Sequence, residues 1–350
     1  LEGRWQTATP ETVGSFSAVA YFFARHLQRA LDVPIGLLHS SWGGTHIEAW
    51  LSTDALEENP YRDSVRARWE KRVADFPEAM RQYQVDRARW EEEAAAAKAA
   101  GRTFNRRAPR EPEGDNSRWM PGGLFNAMIA PLVPATLRGV LWYQGEANVG
   151  RHEEYASLFP AMIEQWRRDF RDDALPFFFV QLANFASPGD PTAERWAWLR
   201  EAQTKALELK GTGMAVALDI GEALDIHPKN KQEVGRRLAL LALNRVHGRS
   251  CVDEGPVISS LKANGRAVEI RFAAPEKVVV RDDVVAGFEI AGEDGEFHFA
   301  RAKWDGQVLT VSHPLVEQPV AVRYAWANDP PLSLFNTDGL PLPPGRWRVE

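Results

Sequence analysis

The sequence predicts an α/β protein, a parallel sheet with helices on both faces, followed by a small antiparallel β domain. Two observations predict it. Between residues 140 and 247, short continuous apolar runs alternate with amphipathic helical stretches, the pattern of strands buried on both faces. Beyond Cys251 the helical period vanishes, and β-rich runs are separated by Asn-Gly and Asp-Gly turns. A chain of 350 residues, 44% hydrophobic and 26% charged, suits one large domain plus a smaller one.

The elements follow in order. Phe16, Val19, Ala20, Phe23, Leu27, Ala30 and Leu31 recur at three- and four-residue steps and predict a first helix, with Ser15 and Ser17 as caps and Pro34 as its stop. Ile35 to His39 reads as a strand, ending in the small-residue turn Ser40-Ser41-Trp42-Gly43-Gly44-Thr45. Residues 55–100 are charged, alanine-rich and helical, anchored by Trp69, Val73, Phe76, Met80, Tyr83 and Trp90, and Pro77 is expected to break or bend them. Arg102 to Arg118 reads as an exposed loop. Three strand–helix units come next: strand Val140–Tyr143 with a helix from Glu153 to Phe170, strand Phe177–Leu182 with a helix from Ala193 to Leu209, and strand Met214–Ile220 with a helix from Lys229 to His247. With Ile35–His39 that makes four strands. Asn264-Gly265, Asp294-Gly295 and Asp305-Gly306 then mark three hairpins. The expected organisation is 1–54 and 119–250 for the α/β domain, 55–118 for a helical insertion, and 251–350 for the β domain.

Composition excludes several functions. Forty-eight acidic against 42 basic side chains leave a net charge of −6, without the positive field of a general nucleic-acid binder. No apolar stretch approaches the roughly 20 residues of a membrane span. The single cysteine, Cys251, allows no disulfide framework and no CxxC metal site. His39, His46 and His152 show no metal-ligand spacing and His26 lies on a helix, so all four read as structural or surface residues and neither metal nor cofactor is expected. The opening residues Leu-Glu-Gly-Arg-Trp carry no basic n-region and no apolar h-region.

In an open parallel sheet, ligands bind beyond the carboxyl ends of the strands. The segments that follow the predicted strands are 40–45, Gln144-Gly145-Glu146-Ala147-Asn148, Asn184 and Gly221 to His227. In Asp225-Ile226-His227-Pro228 a carboxylate two residues before a histidine can set its tautomer and leave the other ring nitrogen as a general base. The plainer reading is a stiffened loop with a surface histidine, and the position after the last sheet strand favours the base. Gly43 and Gly44 can present backbone N–H groups to an oxyanion, or simply form a tight turn. Asn148 offers a second donor, or caps the following helix. Glu146 with Asp225 would be a carboxylate pair for glycoside hydrolysis. Trp42, Trp50 and Trp142 would line a sugar platform, although with 13 tryptophans in the chain most belong to the core.

At these residues the chain is similar to the sialate O-acetylesterase family of carbohydrate esterases, within the SGNH (GDSL-like) hydrolases. The resemblance runs in order through FSAVAYFFARHL, PIGLLHSSWGGTHIEAWLS, PGGLFNAMIAPL, RGVLWYQGEANVGRHEEYASLFPAMIEQWRRDF, LREAQ, DIGEALDIHPKNKQEVGRRLALLAL and the tail from GFEIAG to LPLPP. It implies a flavodoxin-like three-layer fold, with His227 as general base and Asp225 as its orienting acid. It implies an oxyanion hole from Gly44, or its neighbour Gly43, and Asn148, with Gln144, Glu146 and Trp42 around the substrate pocket. The implied reaction removes acetyl groups from sugar hydroxyls, on sialic acid or on xylan or xyloglucan, through a covalent acetyl-enzyme without a metal. Export to the periplasm or the cell exterior is part of the same expectation.

One element of the family pattern has no match. The nucleophilic serine of the family sits in a Gly-Gln-Ser-Asn type motif after a first strand, upstream of the FSAVAYFF helix, and only 14 residues precede Ser15. In flavodoxin-like order that strand is central. The expectation is therefore an upstream polypeptide segment that supplies the strand and the serine, with Ser40 and Ser41 as fallback nucleophiles. The competing expectations are a catalytically silent carbohydrate-binding protein and, last, a glycosidase.

Overall fold

The computed structural model describes residues 3–281 and 284–350. The chain divides into two compact units, Trp42–Val133 and residues 3–41 together with Pro134–Glu350. In chain order the helices are α1 (Pro10–Val13), α2 (Ala18–Leu31), α3 (Thr53–Glu58), α4 (Arg62–Ala99), α5 (His152–Asp169), α6 (Arg195–Thr204) and α7 (Lys231–Arg245). Strands β1 (Val140–Trp142), β2 (Phe177–Gln181) and β3 (Thr212–Val216) form a parallel sheet in the order β1-β2-β3, with Val140 opposite Phe177 and Phe177 opposite Thr212.

The central strand shows why this sheet is covered twice. Every residue of Phe177-Phe178-Phe179-Val180-Gln181 is buried, and alternate side chains leave opposite faces. Phe178 and Val180 join Leu27 of α2 and Val234, Leu238 and Leu241 of α7 in one cluster. Phe177 and Phe179 meet Phe159 of α5 edge-on, with ring centroids 6.1 and 5.1 Å apart. Helix α2 starts where Ser17 Oγ accepts from the Ala20 amide, and it ends at Asp32 in the left-handed region (φ 54°), ahead of Pro34. Helices α2 and α7 pack so closely that a Cβ on Gly235 would lie 2.7 Å from both Phe22 Cβ and the Phe23 nitrogen.

Two expectations are corrected here, and of the two outcomes expected at Pro77 the break does not occur. Ile35–His39 joins no sheet among the described residues, so the parallel sheet has three strands rather than four. Ile35 packs against the α2–α7 cluster, yet Leu38 is 46% exposed, because a strand needs a neighbouring ladder and none lies beside this run. The third strand occupies Thr212–Val216 instead of Met214–Ile220. Arg237 Nη1 donates to the Val216 carbonyl (2.5 Å) and takes the chain out of the ladder, although Ala217 and Leu218 stay buried. Pro77 lies inside α4 without ending it, and Pro160 does the same in α5. One missing backbone bond is a small part of a helix of 38 residues, which also carries the i,i+4 ion pairs Lys71–Asp75 (2.8 Å) and Arg87–Glu91 (2.6 Å).

In the Trp42–Val133 unit, α4 buries only Val65 and Ala97 and shows no apolar stripe, as expected for a solvated helix. The 102–118 segment is held to it where Trp90 Nε1 donates to the Arg106 carbonyl (2.8 Å).

Beyond Cys251 the strands are β4 (Ile258–Asn264), β5 (Ala267–Phe272), β6 (Val278–Val280), β7 (Phe288–Ala291), β8 (Phe297–Phe299), β9 (Arg301–Trp304), β10 (Val308–Ser312), β11 (Ala321–Tyr324), β12 (Leu334–Asn336) and β13 (Gly345–Arg348). They form antiparallel sheets β4-β5-β10-β9 and β13-β11-β7-β8, with β12 paired to β6. The three predicted turns join β4 to β5, β7 to β8 and β9 to β10. Alternation decides the core, so Val268, Ile270, Leu309, Val311, Val322 and Tyr324 point inward with no exposed surface.

The helical and β parts of this unit are joined at Arg200 of α6, which is fully buried. Its guanidinium donates to the carbonyls of Leu182 (2.9 Å), Ala183 (2.9 Å), Ala327 (2.7 Å) and Asn328 (2.8 Å). Burial pulls the group down to about 9, against the charge of Asp329, so it stays cationic at neutral pH.

Two stability outcomes follow from this packing. Gly235→Ala forces α2 and α7 apart and should cost about 1–3 kcal/mol in urea unfolding, the usual penalty of overpacking. Arg200→Met leaves four carbonyls without a donor and should cost on the order of 3 kcal/mol or more. A midpoint within 0.5 kcal/mol of the parent, on the order of an ordinary surface change, contradicts either account.

Candidate active site

The turn after β1 is built around Gly145, whose φ of +155° is open to glycine. A Cβ there would also meet Leu199 Cδ2 at 3.1 Å and Gln203 Nε2 at 3.3 Å. The chain then makes one 3-10 turn over Glu146–Asn148, closed by the Asn148 amide donating to the Gly145 carbonyl (2.8 Å). This turn buries Asn148 completely. Its side chain does not cap α5, whose N-cap is Arg151 without a side-chain cap bond. Instead Asn148 Oδ1 accepts from Gln144 Nε2 (2.8 Å), which leaves the amide nitrogen as the donor end.

Glu146 sits in the same turn. Burial pushes its carboxyl above the ordinary value, against backbone N–H bonds and the charges of Lys231 and His227. Glu146 and His227 are therefore within electrostatic reach of each other. Burial likewise pushes the Tyr143 phenol upward, and Lys231 Nζ stands 4.8 Å over the Tyr143 ring.

The loop after β3 carries the predicted Asp-x-His pair. Arg237 of α7 grips Asp219 at both carboxylate oxygens (2.5 and 2.7 Å) and fixes the start of the loop. Lys229 Nζ donates to Glu222 (3.1 Å), and the Ala186 amide donates to the Ala223 carbonyl (2.9 Å), tying it to the loop after β2. Asn230 then caps α7 by accepting from the Glu233 amide (3.2 Å), so Pro228 precedes the cap rather than opening the helix. Asp225 Oδ1 accepts from the backbone amide of His227 (2.9 Å) and lies 3.7 Å from the ring Nδ1. That is beyond hydrogen-bond length, and the ring is 89% exposed, so the carboxylate stiffens the turn and the imidazole stands in solvent beside it. Asn184, from the loop after β2, donates to Asp329 (2.7 Å).

Trp42, Gly43 and Gly44 belong to the Trp42–Val133 unit. Gly44 has φ +70°, and its carbonyl accepts from Trp119 Nε1 (2.8 Å). Thr45 Oγ1 donates to the Trp42 carbonyl (2.9 Å), and Trp50 Nε1 donates to Thr45 (2.9 Å). Trp42 is 52% exposed, whereas Trp50 and Trp142 are core residues and not platform. His46 stacks on Trp119 and His152 on Trp198. His39 Nε2 and Ser41 Oγ are 2.6 Å apart, with the Phe16 ring edge-on to the imidazole. Among the described residues, no group of three His, Cys, Asp or Glu is arranged to hold a metal ion. No helix among them is long and apolar enough to cross a membrane.

Residue patterns missed Tyr155, Arg200, Arg237 and Trp119. Each works through a backbone or amide contact distant in sequence, and nothing in local spacing marks it.

A parallel α/β sheet with a buried asparagine turn after one strand and an Asp-x-His turn after another is the scaffold of a hydrolase. The family described as carbohydrate esterase, sialic acid-specific acetylesterase, matches residues 114–244. Rat sialate O-acetylesterase is 30% identical over 378 residues, which cover 99% of this chain and 67% of that protein. The human sialate O-acetylesterase is also 30% identical, with 97% and 63% covered. The crystal structure of a carbohydrate acetylesterase from Xanthomonas citri superposes with a TM-score of 0.78 at 38% identity, covering 99% of this chain and 68% of that one. The chain belongs to the sialate O-acetylesterase family of carbohydrate esterases, and so to the carboxylic ester hydrolases. It spans about two thirds of the length of these relatives.

The buried Glu146 carboxyl gives a pH test. Its native value lies above the ordinary 4.5, so the native state holds the proton more tightly than the unfolded chain. Its contribution is present below the ordinary value and is lost as pH rises through the native one. Glu146→Gln should therefore raise Tm relative to the parent at pH 7 and leave it close to the parent at pH 4. Equal differences at both pH values contradict a buried, proton-holding Glu146.

Proposed function

We propose that this chain carries the base and oxyanion side of an esterase that removes acetyl groups from hydroxyls of O-acetylated carbohydrate. His227 takes the proton from a serine hydroxyl as that oxygen attacks the acetyl carbonyl, and Asp225 turns the imidazole and steadies its positive charge. The Asn148 amide donates to the developing oxyanion, with the backbone N–H of Gly44 or Gly43 as the second donor of the family pattern. The sugar oxygen leaves with the proton from His227. Water, deprotonated by the same imidazole, then splits the acetyl-serine and releases acetate. Gln144, Glu146 and Trp42 are assigned to the pocket. The observation that carries this reading is the Asn148 carboxamide: fully buried, not used as a cap, and held by its oxygen so that its nitrogen donates.

The serine is assigned to a polypeptide segment outside these 350 residues, added as a strand beside β1. The place of β1 at the end of the strand order β1-β2-β3 among the described residues, and the apolar run Ile35–His39 that joins no sheet among them, support this placement. The 3.7 Å between Asp225 and the His227 ring closes to a hydrogen bond when substrate is held, as catalytic contacts tighten in the reactive complex. The substrates proposed are acetylated sialic acid or acetylated hemicellulose such as xylan or xyloglucan.

His227→Ala should lower acetate release by about 10²–10⁴-fold, the range for a lost general base, without changing the fold by circular dichroism. Unchanged turnover removes the base. Asn148→Ala should cost about 10²–10³-fold, the range for one oxyanion donor. Fluorophosphonate labelling, read by denaturing intact-mass spectrometry, locates the nucleophile. A label outside these residues agrees with the proposal, a label on this chain points to Ser40 or Ser41, and the absence of both label and acetate release favours a silent sugar-binding protein.

A further inference from the structure

We infer that Tyr155 is a positioning residue for the oxyanion donor, acting through Gln144 on the orientation of the Asn148 carboxamide; this rests on the reading of Asn148 as an oxyanion donor. A primary amide placed beside a developing negative charge has two orientations. One presents N–H and stabilises, and the other presents a carbonyl oxygen and repels. Nothing in the shape of the group chooses between them, so the choice must come from its partners.

The geometry supplies that choice as a chain of directed bonds. The Tyr155 hydroxyl carries one proton and lies 3.1 Å from Gln144 Oε1 and 3.3 Å from the Gln144 backbone carbonyl. Both partners are acceptors, so the phenol is the donor. With Oε1 thus identified as the end facing Tyr155, the nitrogen of the Gln144 amide faces Asn148 and donates to its Oδ1 at 2.8 Å. The Asn148 oxygen is then turned toward Gln144, and its nitrogen is turned the other way. The phenolic proton, given to Gln144 Oε1 as the shorter of the two contacts, in this way sets the sense of two amides in succession.

The relay is held where it cannot reverse cheaply. Tyr155 and Asn148 have no exposed surface. Burial pushes the phenol well above its ordinary value, so it keeps its proton throughout the neutral range and remains a donor. Helix α5 carries Tyr155, and its ring packs on Phe159, with centroids 5.4 Å apart, which in turn meets Phe177 and Phe179 of the sheet. Gln203 Nε2 donates to the Gln144 carbonyl (3.2 Å), while its Oε1 accepts from the Leu182 amide (2.9 Å), so the backbone under Gln144 is fixed as well. An inverted Gln144 amide would leave the phenol only the longer contact to the Gln144 backbone carbonyl (3.3 Å) for its proton and would put Oε1 against Asn148 Oδ1.

The test is kinetic and uses the acetate-releasing protein. Tyr155→Phe removes one oxygen and should lower kcat about tenfold with KM within about twofold, the worth of one directed hydrogen bond. The loss should vanish in an Asn148→Ala background, because a residue that acts through Asn148 has nothing left to position. Gln144→Glu, nearly isosteric, places a carboxylate oxygen against Asn148 Oδ1 and should turn the amide over, costing at least as much as Asn148→Ala, about 10²–10³-fold. It keeps the idea testable if Tyr155→Phe fails to fold. Tyr155→Phe and Asn148→Ala losses that multiply, or a Gln144→Glu variant within threefold of the parent, overturn the relay while the oxyanion reading stands. An Asn148→Ala variant within threefold of the parent overturns the oxyanion reading itself, and the relay with it.

Discussion

Much of the larger unit depends on one buried cation. Arg200 donates to four backbone carbonyls, two at the end of β2 and two in the loop between β11 and β12. No carboxylate neutralises it within hydrogen-bond distance among the described residues, so the field of peptide dipoles stabilises the charge. The consequence is geometric. The chain after β2 cannot relax without stripping a buried guanidinium of its acceptors, and the loop that follows β2 holds the loop after β3 through the Ala186–Ala223 bond. The segment that carries Asp225 and His227 is thus braced from one side by α7, through Arg237, and from the other through the carbonyls bound by Arg200.

The turn after β1 follows a different logic. Its residues are small or polar, with Gly145 and Asn148 buried and Gln144 and Glu146 half-buried, and its two amides meet partners of fixed sense. Gly145 lets the chain turn against Leu199 and Gln203 without a side chain in the way. Asn148 and Gln144 settle each other's orientation, while Glu146 carries a carboxyl that burial pushes toward the neutral form. The contrast with His227 is large, since its ring is mostly in solvent. In the proposed chemistry the donor that must already be aimed is rigid, and the base that must exchange protons with substrate and water is accessible.

Much of the fold was legible because it follows from periodicity. The run FFFVQ reads as a strand buried on both faces, and its side chains divide between α2 with α7 and α5 as that reading requires. The three Asn-Gly and Asp-Gly hairpins lie where their turns place them. Ile35–His39 failed as a strand because strand character is a property of a pair, and an apolar run without a neighbouring ladder stays outside the sheet. Pro77 failed as a breaker because one lost bond is small beside the cooperativity of a long helix. In the candidate site, Asn148, Gln144, Glu146 and the Asp225–His227 turn were visible as polar residues after strands. Tyr155 and Arg200 were not, since each sits in an amphipathic helix where its spacing resembles that of any other inward-facing residue.

The sequence by itself determined the fold class, the strand–helix alternation, the hairpins and the membership of the esterase family, because these depend on local pattern and on motifs that keep their order along the chain. Only the tertiary structure decided which way the amides at the site face, which charges are buried, and that Asp225 bonds the His227 backbone rather than its ring. The physical reason is directionality. Hydrophobic burial requires only that a residue be apolar and on the right face, and spacing along the chain expresses that. A hydrogen bond requires a particular donor to meet a particular acceptor within a few tenths of an ångström, and only residues brought together from distant segments can supply it.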